Sequence, residues 1–115
     1  MLVLLDSQSG KVLDHVAIGD GVDATAYDPT SHFAFASCGD GTVTIAHEET
    51  ADHLKVIQTL KTEKGAKTMT LDPATHKIYL GSAKFEAPAP GQRRGRIVPG
   101  SFKVLVYGPE AGHEK

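Results

Sequence analysis

The sequence predicts an all-β fold: β-propeller blades, each a four-stranded antiparallel sheet, in an incomplete ring. Three observations predict it. The chain repeats at a constant offset of 44 residues, the period of a four-stranded blade. Its apolar residues alternate in short runs, the pattern of strands with one buried face. Those runs are separated by Asp-Pro, Gly-Asp-Gly and Ser-Gly turn chemistry at close intervals.

The repeat is visible residue by residue. Residues 21–36 align with residues 65–80. Gly21/Gly65, Asp28/Asp72, Pro29/Pro73 and His32/His76 are identical pairs. Tyr27/Leu71 and Phe35/Tyr79 are matched apolar positions, and Phe33/Lys77 is the mismatch. The same offset relates residues 12–16 to residues 56–60. A frame that holds across the chain is a repeat rather than a coincidence of composition.

Taken in order, residues 2–5 and 12–18 form a hairpin about Ser7-Gln8-Ser9-Gly10. Residues 24–27 form a strand that stops at Asp28-Pro29-Thr30-Ser31, because Asp caps a turn and Pro fixes φ. Residues 33–37 lead into Gly39-Asp40-Gly41, a strong hairpin signal. Residues 42–46 and 55–60 complete the sheet. The second repeat supplies strands at 68–71, 77–80 and 102–107. A helical turn competes only at 48–54, where the residues are polar and the segment is short. With strands labelled A to D from the axis outward, nine strands read C-D, A-B-C-D, A-B-C. The expected organisation is an outer hairpin at 1–20, a complete blade at 21–64, and a blade without its outer strand at 65–110, with a long loop at 84–100.

Composition bounds the function. With 12 Lys+Arg against 14 Asp+Glu, the net charge of -2 argues against nucleic-acid binding and against an acidic lipid surface. The 40% apolar content is that of a globular chain, and with no Trp the core must come mainly from aliphatic residues. Met1 to Leu5 is too short for the apolar region of a secretory signal, which needs about 7–15 residues. No run approaches the roughly 20 apolar residues of a membrane helix, so no membrane association is expected. The lone Cys38 has no partner for an internal disulfide and says nothing of compartment.

Several of these segments resemble the YVTN-repeat, YncE-like family of bacterial β-propellers. The resemblance covers residues 2 to about 108 and rests on Val3-Leu4-Leu5-Asp6-Ser7-Gln8-Ser9-Gly10-Lys11-Val12, and on residues 19–24 leading into Asp28-Pro29. It rests further on residues 36–43 and on residues 71–80. The resemblance implies a propeller whose full-length members are usually seven-bladed and often exported, so a periplasmic or secreted location is implied for such relatives. The chain is similar to the C-terminal two-to-three-blade portion of such a member. The family has no single reaction and includes relatives of lactone hydrolases, so it implies fold better than function.

In a four-stranded blade the D-to-A and B-to-C connections share one rim. Here that rim is expected to carry residues 19–23, 38–41, 62–67 and 83–99. Asp20, Asp23 and Asp40 fall together there, a set able to hold a hard cation. Asp also suits turns beside glycine, and that reading is preferred, with no metal or cofactor expected. Arg93, Arg94 and Arg96 lie in the long loop, with Lys64 and Lys67 on the same rim, and Arg forks suit phosphate or carboxylate. An anionic small molecule or peptide is therefore a candidate ligand, set against a solvated, Pro/Gly-rich loop. His47 and His53 flank acidic residues without the His-Glu-x-x-His spacing of a zinc site. His32 and His76 recur at the A-to-B turn and are expected to cap or hydrogen-bond within their own blades. Cys38 is expected to be a small buried or rim thiol. No nucleophile elbow or phosphate-cradling loop occurs.

The reading is a non-catalytic propeller scaffold or interaction module. An open set of blades leaves apolar faces and strand edges to be covered. The hairpin at 1–20 and the blade at 65–110 have complementary defects, so copies are expected to exchange strands or stack, with roughly three or four copies closing a ring. Anion binding through the Arg-rich loop, and a lactonase-like hydrolase, are the alternatives.

Overall fold

Nine strands form in the order the turn chemistry dictates. The computed structural model describes residues 1–92 and 95–109. Its strands are β1 (Leu2–Leu5), β2 (Val12–Val16), β3 (Val22–Asp28), β4 (Phe33–Cys38), β5 (Thr42–Thr50), β6 (His53–Lys61), β7 (Met69–Asp72), β8 (Lys77–Ser82) and β9 (Lys103–Tyr107). Among the described residues there is no helix. All pairing is antiparallel between strands adjacent in sequence, giving sheets β1-β2, β3-β4-β5-β6 and β7-β8-β9. The chain is thus all-β, and its sheets stand in an incomplete, propeller-like arrangement.

Local chemistry explains each corner. Asp6 accepts the amides of Gln8 and Ser9 and so closes the first hairpin. Asp28 accepts the amide of Thr30, and Asp72 that of Ala74, at the two A-to-B turns. His32 and His76 follow with φ of 62° and 63°, the left-handed backbone that His tolerates better than branched residues. Gly41 has φ of 95°, and a side chain there would also meet the backbone of Lys64 at 3.1 Å.

Three sequence expectations shift in detail. The polar stretch at 48–54 is not helical: β5 runs on to Thr50 and turns directly into β6, with Thr50 opposite His53. The ladder continues because Glu48 still pairs with Leu54, whose side chain is buried. β2 stops at Val16 rather than residue 18, and β9 begins at Lys103. The long connection is not simply a solvated tether. Phe85 and Ile97 form an antiparallel bridge, and the Ser101 hydroxyl donates to Val98 O, so the loop folds back on its own base.

The core lies between the second and third sheets. Phe35, Val43, Ala66, Ile78 and Leu80 are buried, with Phe33, Ile45, Leu60, Met69, Leu71, Leu105 and Tyr107 packed against them. Alternation decides which residues these are: Phe35 on β4 and Val43 and Ile45 on β5 face forward, and Ile78, Leu80, Leu105 and Tyr107 face back to meet them. The first hairpin stacks on the other side. Asp14 accepts the amide of Leu54 at 2.7 Å and approaches His53 Nδ1 at 3.1 Å, tying β2 to β6.

Candidate functional site

Two rims carry polar chemistry, and each is built by turns. On the first, the chain passes three times within hydrogen-bond reach. Gly39 N donates to Gly21 O, Asp40 N to Asp20 O, Thr62 N to Gly41 O and Gly65 N to Gly39 O. The connection at 38–41 is therefore clasped between 19–21 and 62–65, as the strand order requires.

The sequence-predicted acids meet here in part. Asp40 lies against Asp20 through the backbone, and its Oδ2 accepts Asp20 N at 2.9 Å. Its Oδ1 accepts both the amide and the hydroxyl of Thr42. These bonds, led by the Thr42 hydroxyl, hold the Asp40 carboxyl below its ordinary range. Asp40 is thus a turn cap with its lone pairs in use. A Cβ on Gly19 would come within 2.6 Å of that carboxylate and 2.5 Å of the Thr42 hydroxyl, so a larger residue there would push these side chains aside. Asp23 is exposed at the bulge where the β3 register shifts between Val22 and Ala24. Among the described residues, no three His, Cys, Asp or Glu side chains gather as a metal site.

Among the described residues, the cations do not gather on these acids. Lys64 and Arg96 are exposed, and Lys67 is half-buried with its stem along Gly39. Arg93 and Arg94 lie outside the described residues. A basic residue the sequence did not single out, Lys103, pairs with Glu63 at 2.7 Å, and Glu63 also accepts the Ser82 hydroxyl. These two contacts, Lys103 first, lower the Glu63 carboxyl. The Thr62 hydroxyl is buried without a hydrogen-bond partner among the described residues. Cys38 is fully buried, and burial first of all pushes its thiol up, away from nucleophilic use.

The opposite rim holds the arrangement that sequence reasoning misplaced. His76 does not hydrogen-bond within its own sheet through its ring. Its Nδ1 donates to Asp28 Oδ2 of the neighbouring sheet at 2.5 Å. Asp28 is fully buried, and its carboxylate also accepts the Ser31 hydroxyl and the Thr30 amide. Burial drives the Asp28 carboxyl up, but the bonds from His76, Ser31 and Thr30 outweigh it, leaving it below its ordinary range. The repeat pointed to these positions; only the stacking of sheets brings the ring of one to the carboxylate of the other.

His32, the repeat equivalent of His76, has a different neighbourhood. Its Nδ1 lies 2.9 Å from the Tyr27 hydroxyl, which donates to Glu48 Oε1 at 2.6 Å. That bond, followed by burial, pushes the Tyr27 phenol up to about 12. Asp72, the equivalent of Asp28, accepts Ala74 N and the Thr75 hydroxyl in the same geometry. No histidine from a further sheet reaches it among the described residues.

Two cavities flank this rim. One of about 960 Å³ opens between the second and third sheets, lined by Phe33, Phe35, Ile45, Ile57, Leu60, Ile78, Tyr107 and the His76 ring. The other, of about 240 Å³, lies behind the second sheet among Leu2, Leu4, Thr25, Tyr27, Ala34 and Leu54. No helix among the described residues is long and apolar enough to cross a membrane. No family model matches the chain, and no curated protein or solved structure matches it.

Proposed function

We propose that the chain is a non-catalytic scaffold module, a β-propeller portion of the YVTN-repeat kind, that assembles through its open sheet faces with other copies of itself. The observation that carries this reading is a contrast between equivalent positions. The ladders pair Ser37 with Val43 and Phe35 with Ile45 on the second sheet, and Gly81 with Val104 and Tyr79 with Val106 on the third. Val104 and Val106 are therefore the counterparts of Val43 and Ile45. Val43 is fully buried, whereas Val104 is 53% and Val106 50% exposed, and Phe102 beside them is 68% exposed. A face that is core on one sheet is surface on the next.

Contiguous apolar surface of this kind marks an interaction site. It adjoins the outer edge of β9, which among the described residues pairs only with β8. The first hairpin offers the complement, since β2 is an outermost strand paired only with β1. An incoming β9 that takes the place of β1 would complete a sheet in the order β7-β8-β9-β2, the last strand coming from the second copy. Light scattering over a concentration series tests the reading. The expected mass is a multiple of 12.2 kDa. A mass of one chain at every concentration, with a cooperative melt, overturns it.

The anion-binding alternative keeps one supporting feature: the Phe85–Ile97 bridge closes the base of the long loop next to the exposed Arg96. The lactonase-like alternative draws no support from the described residues, where Asp40 serves as a turn cap.

A further inference from the structure

We infer that Asp72 of one copy and His32 of the next form the joint that sets the register of this assembly, an intermolecular counterpart of the Asp28–His76 tie within the chain. The inference rests on the self-assembly reading above and adds the residues that would specify it.

The two A-to-B turns are the same turn built twice. In each, Asp accepts the amide two residues on and the hydroxyl three residues on, and the left-handed His returns its own amide to the Asp carbonyl. The φ values agree at 62° and 63°. Each turn therefore presents a carboxylate to one side of its sheet and an imidazole to the other. Inside the chain one such pair has met: Asp28 of the second sheet with His76 of the third. The carboxylate of Asp72 and the imidazole of His32 bond only within their own sheets and turns among the described residues.

Both lie on the surfaces that the proposed docking would bring together. Leu71, Ile78 and Leu80, on the back of the third sheet, are covered by the second sheet. Their counterparts on the back of the second sheet are Tyr27, Ala34 and Ala36, and the first two line the smaller cavity. His32 points to that side, because its ring meets Tyr27 and Glu48, which line the same cavity. Its side chain is 56% exposed, against 35% for the tied His76. With β1 displaced as above, a second copy's third sheet takes toward this face the place that the second sheet holds toward the third within the chain, and so sets its Asp72 against this ring. His32, whose Nδ1 now meets the Tyr27 hydroxyl at 2.9 Å and Glu48 Oε1 only at 3.4 Å, then gains a carboxylate at full hydrogen-bond distance, a charge-assisted bond. Heterologous contacts of this kind fix the direction of growth, so that every junction reads Asp72 to His32.

Two variants test it without disturbing the turns. His32→Gly removes the ring and keeps a residue at ease with positive φ. Asp72→Ser keeps a short turn acceptor and lacks the second oxygen. In sedimentation, each variant alone is expected to associate roughly tenfold more weakly than the unaltered chain, the loss of one good hydrogen bond. An equimolar mixture is expected to recover a dimer of near-normal affinity, because the Asp72 of the first variant faces the intact His32 of the second. Recovery on mixing supports the joint, since a merely structural defect in either copy would not be repaired by the other. Assembly of the unaltered chain with no weakening in either variant, or weakening without recovery, overturns the joint and leaves the self-assembly reading standing. A monomeric unaltered chain overturns both.

Discussion

The second and third sheets are copies of one repeat that meet different fates. Val43 and Val104 hold the same ladder position, and so do Asp28 and Asp72 at the turn, yet in each pair the first is fully buried and the second is not. Neither residue type nor strand position decides burial here; the presence of a neighbouring sheet does. A repeat protein is stable in proportion to its filled interfaces, and the buried apolar cluster of this chain lies between its second and third sheets.

The sharpest way to break that comparison is a charge. Val43→Asp buries an unpaired carboxylate in the core and is expected to cost about 5 kcal/mol or more, leaving no cooperative melt. Val104→Asp at the equivalent exposed position is expected to leave the thermal midpoint of dilute protein nearly unchanged, within about 0.5 kcal/mol, while suppressing association. Equal losses in both would show that the two faces are equally covered.

The turn acids give the next largest contrast. Asp28→Ala strands the His76 ring, the Ser31 hydroxyl and the Thr30 amide, for an expected cost of about 3 kcal/mol by chemical denaturation. Asp72→Ala removes only a turn cap, for about 1 kcal/mol. The Asp28 tie also has a pH signature. Because the Asp28 carboxyl is lowered in the fold, the unfolded chain binds more protons near its ordinary value of about 3.9. Its contribution is complete above that value and is lost as pH falls through the lower folded one. Asp28→Asn is expected to flatten the acid limb of the stability curve, and a limb as steep as that of the unaltered protein would show that Asp28 is not its source.

The smallest effect is spectroscopic. Tyr27 is held as a neutral phenol up to about pH 12 by its bond to Glu48. In an ultraviolet titration, Glu48→Gln is expected to bring one tyrosine back toward its ordinary value near 10. No change in the Glu48→Gln titration would place Tyr27 elsewhere.

The strand order was legible because every ladder joins neighbours in sequence, and the turns between them are written in Asp, Pro and Gly. Strand ends were less so. His47 and Glu48 belong to β5 although they break the apolar alternation, because the ladder with β6 continues beneath them. On the first rim, the nearness of Asp20 to Asp40 followed from two connections sharing one rim, and the turn role of Asp40 from its place between glycines; that its cap falls on Thr42 and on Asp20 N did not. On the second rim, the periodic histidines were visible and their partner was not, since offset alone does not say on which side a ring leaves its sheet.

One further property follows from the way the three sheets are joined. Hydrogen-bonded ladders stop at each sheet's own edges, so the sheets are held to one another by side chains and a few polar ties. Such a stack opens in units rather than all at once. In deuterium exchange, the amides of β4 and β5, inside the complete sheet, should be the slowest, with those of β8 next. The β1-β2 hairpin, anchored largely through Asp14, should exchange first and mark the end at which the molecule begins to unravel.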